Sequence, residues 1–397
     1  MKEMIFNKGV GRMSTFISPV KIHFGEGCVR KISDECQALG VRRVIVFADP
    51  FLVTSGAISK VEHILSEHGI EYSVYDQIVP EPPVAIGDQA VDAVRNSGAE
   101  LVIAVGGGSA LDIAKAAAVL ATHEGSIADY LNLTGTKKLQ HKGLPKILIP
   151  TTSGTGSEVT DIAVFNLEST KDVITHNYLL ADVAIVDPEF TYSVPPRVTA
   201  ATGVDAFTHA LEAYTSIQSS TLTDALALEA MDLIAKNLRK AVWQGHDQEA
   251  RRAMSWGSML AGMAFFNAGT AGVHALAYPL GGLFHISHGE SNALMLPYVY
   301  EFILPSCLEK MEKVAFVMGV GRKEASTRDN ALAALQAIRD LTQDVGIPSS
   351  LQAYGIEEKD IELLAQDGAK QTRLLQRSPK ALTLDDIRHV YRRALQG

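Results

Sequence analysis

Cysteine is scarce in this 397-residue chain: Cys28, Cys36 and Cys307 are odd in number and show no C-x-x-C spacing. That excludes a disulfide framework and a thiolate zinc site, and fits a reducing compartment. Positive charge is also in short supply. The 36 Lys and Arg stand against 45 Asp and Glu, a formal net charge of −9, and no basic cluster is present to neutralise a row of phosphates. A nucleic-acid surface is thereby excluded. No apolar run approaches the roughly 18 residues of a membrane span. The opening "MKEMIFNKGVGRMSTF" has no continuous apolar segment of the kind a signal peptide carries. The expectation is a cytoplasmic protein that engages neither membrane nor nucleic acid, with its first dozen or so residues loosely ordered. What is present, 47 % apolar and 20 % charged residues, is ordinary for a globular enzyme with core enough for two or three domains.

Between residues 40 and 190, β-branched runs alternate with helical stretches. "RRVIVFAD" (42 to 49), "EYSVYD" (71 to 76), "ELVIAVGGG" (100 to 108), "KILIPTT" (146 to 152) and "DVAIVD" (182 to 187) read as strands. "SGAISKVEHILSEHG" and "AIGDQAVDAVRNSG" read as helices between them. This alternation implies a parallel sheet covered on both faces. At "DPEFTYSVPPRVT" (187 to 199) two adjacent prolines close the pattern. Downstream, segments such as "TLTDALALEAMDLIAKNLRKAV" repeat apolar residues at helical spacing. The predicted domains are therefore an α/β unit over 1–195 and an all-helical unit over 196–397.

Two loops at strand ends offer ligand chemistry. In "AVGGGSALDIAKAAAVLA" (104 to 121) a strand hands over to a helix through three glycines. That is either a pyrophosphate turn, with the helix-start N–H groups facing the phosphate, or a tight structural turn. "PTTSGTGSEVT" (150 to 160) places Thr151, Thr152, Ser153 and Thr155 after the next strand, as ligand donors or as a solvated turn. Two such loops at one sheet edge favour a ligand, because open α/β sheets bind there. Asp49 ends a strand, where a carboxylate can accept from ribose hydroxyls and repel a 2′-phosphate, favouring NAD over NADP, or can simply start an Asp-Pro turn.

The second half carries a different signal. In "GVDAFTHALEAY" (203 to 214) Asp205 and His209 lie four apart, on one face of a helix. His274 and His288 follow in "GVHALAYPLGGLFHISHGESNALMLP" (272 to 297), on either side of a Gly-Gly pair expected to fold the chain back. One carboxylate and three imidazoles suit Fe(II) or Zn(II). His285 is an alternative ligand or a proton carrier. Glu212, seven after Asp205, is either a partner that orients an imidazole or a solvated helix carboxylate.

In this order the motifs resemble the iron-containing (group III) alcohol dehydrogenase family, from "PVKIHFGEG" (19 to 27) through "VPEPP" (79 to 83) and "IAVGGGSALDIAK" (103 to 115) to "HGESNALMLP". The resemblance implies an N-terminal dinucleotide-binding domain of dehydroquinate-synthase-like α/β type and an all-α metal-binding, catalytic domain, with the active site in the cleft between them. It implies metal ligation by Asp205, His209, His274 and His288. Cofactor contacts would fall on Asp49, Gly107, Gly108, Ser109, Asp112, Thr151, Thr152, Thr155 and Lys171, and Phe265 would lie near the substrate. The activity implied is reversible hydride transfer between NAD(H) and a small alcohol or aldehyde, with the metal polarising the substrate oxygen. A homodimer or higher homo-oligomer is the expected assembly.

One position departs from the family pattern: Tyr278 stands where many members carry a second histidine, four residues after the third ligand. A phenol titrating near ~10 is a weaker base at neutral pH than imidazole, yet can pass a proton along a hydrogen-bonded chain. Tyr278 and His285 are thus the candidate catalytic residues. Tyrosine at this place is also similar to the hydroxyacid-oxoacid transhydrogenases, the alternative reading. A dehydroquinate-synthase-like lyase is more remote, since no Lys and Arg cluster accompanies the ligands.

Overall fold

The computed structural model describes residues 14–167 and 171–397. The expectation of a loosely ordered N-terminus concerns residues outside that range. Residues 18–194 form one compact unit, and residues 195–397 with the stretch 14–17 form another. That stretch joins the helical unit because Asn267 brackets Ile17, accepting from its N–H at 2.7 Å and donating to its carbonyl at 2.9 Å.

The first unit is α/β. Its strands are β1 (Lys21–Phe24), β2 (Arg43–Ala48), β3 (Glu71–Tyr75), β4 (Leu101–Gly106), β5 (Lys146–Pro150), β6 (Ile162–Asn166), β7 (Lys171–Thr175) and β8 (Val183–Val186). Its helices are α1 (Lys31–Leu39), α2 (Pro50–Thr54), α3 (Ser59–Glu67), α4 (Val84–Ser97) and α5 (Gly108–Leu120). Six strands make one sheet in the order β1, β8, β5, β4, β2, β3, every pair parallel.

Side-chain alternation splits the central strands between two cores. Val44, Val46, Ile103 and Ile147 pack with Ile32 of α1 and Val61 of α3, whereas Ile45, Phe47, Val102 and Leu148 pack with Val91 of α4 and Ile113 of α5. Burial on both faces is why these strands read as unbroken apolar runs.

The expected fold class stands, and the structure adds to it. β1 is a four-residue edge strand paired with β8, which comes from the far end of the unit. β6 and β7 form a separate antiparallel pair.

The second unit is helical, with no strand among its described residues. It comprises α6 (Pro196–Thr215), α7 (Thr221–Trp243), α8 (Gln248–Ala268), α9 (Gly272–Phe284), α10 (His288–Ile303), α11 (Leu308–Val317), α12 (Thr327–Asp344), α13 (Ile361–Ala369), α14 (Thr372–Leu375) and α15 (Leu384–Gln396). Pro196 starts α6, where a missing N–H costs nothing. From Gly203 to Thr215 this helix is buried all round, packed on α7, α8 and α10. No single helix among the described residues is long and apolar enough to cross a membrane.

The expected Gly-Gly break is corrected: Gly281 and Gly282 lie inside α9, Gly281 buried. The chain turns three residues later, where His285 adopts left-handed backbone angles as the helix cap and the next helix begins at His288.

Candidate metal centre and cofactor loops

Asp205 and His209 project from one face of α6, His274 comes from the first turn of α9, and His288 is the first residue of α10. Gly289 makes the last placement possible: a Cβ there would lie 2.6 Å from the Ala201 carbonyl oxygen of α6, so only glycine lets α10 start this close to the helix bearing Asp205. One donor atom from each of the four residues lies within 4.8 Å of the others. Asp205 Oδ1 stands 3.8 Å from His274 Nε2 and 3.7 Å from His288 Nε2, and Asp205 Oδ2 is 4.0 Å from His209 Nδ1. Two ligands tetrahedrally disposed on a zinc-sized ion stand about 3.4 Å apart, so these separations are close to those an ion would set.

Burial is uneven. Asp205, His209 and His274 are 1 %, 4 % and 2 % exposed, whereas the His288 side chain is 30 % exposed. Burial would push the Asp205 carboxyl up, but the imidazoles of His209, His288 and His274 and the Asn292 amide hold it below the usual carboxylate range.

The surroundings fix how the imidazoles face. Glu212 is buried, and its Oε2 lies 2.6 Å from His274 Nδ1 while its Oε1 accepts from the Val273 N–H at 2.6 Å. It thus orients the ring and also caps α9, whose N-cap residue Ala271 supplies no side-chain bond. With Nδ1 donating to Glu212, the lone pair of His274 Nε2 faces the cluster. That nitrogen is buried and has no hydrogen-bond partner among the described residues, which is the state of a metal ligand. The donor set fits Fe(II) or Zn(II).

Asn292, one turn after His288, donates to Asp205 Oδ1 at 2.7 Å and lies 3.1 Å from His288 Nε2. Phe265 of α8 is buried and stacks on the His209 ring at 4.2 Å, so an apolar face adjoins the cluster. The Tyr278 ring lies 6.1 Å from that of His288. His285 is exposed at the end of α9 and is not one of the four clustered residues.

The α/β unit holds the loops. α5 starts at Gly108 behind an N-cap glycine, so no N-cap side chain satisfies its first N–H groups. A Cβ on Gly108 would fall 2.7 Å from Thr155 Cγ2, which ties the glycine loop to the threonine loop by close approach. Thr151 is buried, with Thr152 and Thr155 half-buried beside it. Asp49 is the N-cap residue of α2 and accepts from the Gly107 N–H at 3.0 Å; burial pushes its carboxyl up, and that bond draws it back.

Three other assigned residues have partners within the fold. Asp112 accepts from Ser157 Oγ at 2.5 Å and from the Val164 N–H at 3.0 Å, and pairs with Lys115 at 2.9 Å, so both of its oxygens are engaged inside the fold. Ser109 Oγ accepts from the Glu81 N–H at 3.1 Å. Lys171 is buried and paired with Glu81 at 2.9 Å.

Two family models match the chain: one described as iron-containing alcohol dehydrogenase, over residues 19–188, and one as Fe-containing alcohol dehydrogenase family, C-terminal, over residues 199–395. The chain belongs to the iron-containing alcohol dehydrogenase family. It is 53 % identical over 385 residues to long-chain-alcohol dehydrogenase 1 of Geobacillus thermodenitrificans, covering 97 % of this chain and 98 % of that protein. Among solved structures, that of a 1,3-propanediol oxidoreductase matches with a TM-score of 0.93 at 37 % identity, over 97 % of this chain and 100 % of the other. A sulfoacetaldehyde reductase from Bifidobacterium kashiwanohense, solved in complex with NAD+, matches with a TM-score of 0.86 at 33 % identity, over 97 % and 99 % of the two chains. These relatives are dehydrogenases, oxidoreductases and reductases by name, which does not favour the transhydrogenase alternative.

Two residues around the sites of this iron-containing alcohol dehydrogenase were missed by sequence reasoning. Asn292 had a usable signal, its spacing of four from His288 on one helix face. Lys115 had none, because a lysine in an alanine-rich helix reads as solvated. In the structure it is fully buried and donates to the carbonyls of Ser157, at 3.0 Å, and Ile162. It holds the threonine loop from beneath. In the same loop, burial raises Glu158 to about 7, against the opposing pull of its own backbone N–H and of Lys115.

Proposed function

We propose that this protein is a metal-dependent, NAD(H)-dependent alcohol dehydrogenase that interconverts a small alcohol with its aldehyde or ketone. The observation that carries the reading is the cluster of Asp205, His209, His274 and His288, three of them almost fully buried. Bound by these four residues, Fe(II) or Zn(II) would supply a Lewis acid that lowers the pKa of the substrate hydroxyl and polarises the product carbonyl. Glu212 keeps His274 in the tautomer that presents Nε2. Phe265, stacked on His209, excludes water beside the cluster and favours an apolar alkyl group. Tyr278 relays the hydroxyl proton, its Oη accepting it as its own O–H proton passes on toward the exposed His285 and water. A nicotinamide held by the α/β unit would accept the hydride from the alcohol carbon, so that the two-electron oxidation balances with NADH and one released proton.

In the α/β unit the N–H groups at the start of α5, with Gly107, Gly108 and Ser109, are assigned to the cofactor pyrophosphate. Thr151, Thr152, Thr155 and Lys171 are assigned to its sugar and phosphate oxygens, and Asp112 supports them from within. Asp49 keeps a carboxylate at the end of β2, which disfavours the 2′-phosphate of NADP. A cytoplasmic location belongs to the same reading, supported by three free cysteines, as does a homodimer, supported by the short edge strand β1.

The test is NADH formation, followed by absorbance, from NAD and a panel of short and long alcohols, diols and hydroxy acids. The protein is stripped of metal and reconstituted anaerobically with Fe(II) or Zn(II), beside His274→Ala. Activity that requires the ion and vanishes in the variant supports the reading and identifies the substrate class. Turnover that survives both chelation and the variant would sink it.

A further inference from the structure

Asn292 is fully buried on α10 and touches two of the four clustered residues with one amide nitrogen. We infer that Asn292 is a positioning residue for the metal: it holds Asp205 and His288 in the geometry an ion requires and so sets how tightly the ion is bound. The inference rests on the metal reading of Asp205, His209, His274 and His288.

The carboxylate of Asp205 can only accept, so the amide must turn its nitrogen toward Asp205 and its oxygen away. That oxygen is then buried with no hydrogen-bond partner among the described residues. A buried acceptor left unmatched is a cost that folding alone does not explain, because an apolar side chain of the same branched shape would fill the place without it. The two N–H groups account for the residue. One donates to Asp205 Oδ1, the oxygen nearest both His274 and His288. With that lone pair engaged, the carboxylate cannot rotate freely, and its remaining lone pairs are aimed at the imidazoles. The other reaches His288 Nε2, on the least enclosed ring of the set.

When an ion takes Nε2, the second N–H must withdraw from that nitrogen, while the bond to Asp205 persists. The persisting bond is to a charged acceptor and is the stronger of the two. The net effect of the amide is therefore tighter binding, achieved by ordering the site before the ion arrives.

Asn292→Leu removes both donors and keeps the branching. Zn(II) affinity, measured on metal-stripped protein by competition with a chromophoric chelator, is expected to fall about 10- to 100-fold. The visible spectrum of the Co(II)-substituted variant should shift as Asp205 and His288 lose their fixed orientation, a signature that a packing role would not move. Asn292→Ala serves if the leucine variant does not fold. It removes both donors with less bulk, so Zn(II) should raise its thermal midpoint by less than it raises that of the unsubstituted protein. Wild-type Zn(II) affinity and Co(II) spectrum in Asn292→Leu, or an undiminished Zn(II)-induced rise in Asn292→Ala, would overturn the inference. A wild-type protein that binds Zn(II) no better than His274→Ala would instead overturn the metal reading beneath it.

Discussion

In the α/β unit the loops after β4 and β5 present backbone N–H groups and hydroxyls, and the nearby carboxylates of Asp49 and Asp112 are turned inward to hold those loops. In the helical unit the ligand-bearing groups are themselves side chains, a carboxylate and three imidazoles on the faces of three helices, held by further side chains such as Glu212. The first arrangement works by omission, since the close approach of Gly108 to Thr155 leaves no room for a Cβ. The second works by addition, placing charge and lone pairs where burial would otherwise forbid them. The two sites should therefore fail differently.

The contrast is sharpest at His274. His274→Ala removes a donor that nothing else replaces, and kcat/KM for alcohol oxidation is expected to fall by roughly a thousandfold or more, several kcal/mol of barrier. NADH affinity, followed by fluorescence titration, should change by less than about twofold, because the loops proposed to hold the cofactor belong to the other unit. A large loss of NADH binding in this variant would break the distinction.

Glu212→Gln tests the support rather than the ligand. It keeps the shape and removes the charge that fixes His274 Nδ1, so Zn(II) affinity by chelator competition should weaken about 10- to 100-fold. Gly108→Ala tests the other unit. Its Cβ would press on the Thr155 methyl at 2.7 Å, and KM for NAD should rise about tenfold, near 1.4 kcal/mol, with metal affinity untouched. Thr155→Ser in the same chain removes that methyl and should restore part of the loss.

The smallest expected effect concerns stability. Lys146 is fully buried at the start of β5, where burial lowers its ammonium to about 8, opposed by Asp182. Because the folded value lies below the unfolded one of 10.5, the unfolded chain binds more protons between them, and stability rises with pH through that window. Lys146→Met should therefore raise the thermal midpoint at pH 7, and the gain should shrink as the pH climbs from about 8 toward 10.5. A gain that is constant with pH would assign it to packing instead.

How legible each region was in the sequence follows from the same contrast. Side-chain sites announce themselves by residue type and spacing: Asp205 and His209 four apart, and Glu212 on the same face, were readable from α6 alone. The glycine loop was readable only as a gap in side chains, and Asp112 beside it gave no sign that its carboxylate would be occupied by Ser157, Val164 and Lys115. The central strands were plain because burial on both faces makes them apolar throughout. β1 was not, because its pairing with β8 joins opposite ends of the unit and no local pattern encodes it. β6 and β7, which among the strands pair only with each other, lie between the segments read as strands and were passed over. The turn at His285 was misplaced because glycine is the usual residue for left-handed backbone angles, and here a histidine adopts them.

The uneven enclosure of the four ligands bears on kinetics as well as affinity. An ion held by these four residues would have to enter and leave past His288, at the start of α10, because the other three are sealed and His288 alone of the four is within reach of water. It would be the last donor to close and the first to let go, so the rate of exchange is set at a single imidazole. Since nitrogen and oxygen donors of this kind discriminate poorly between neighbouring first-row metals, the ion found in the purified protein would reflect what the cell supplied during growth.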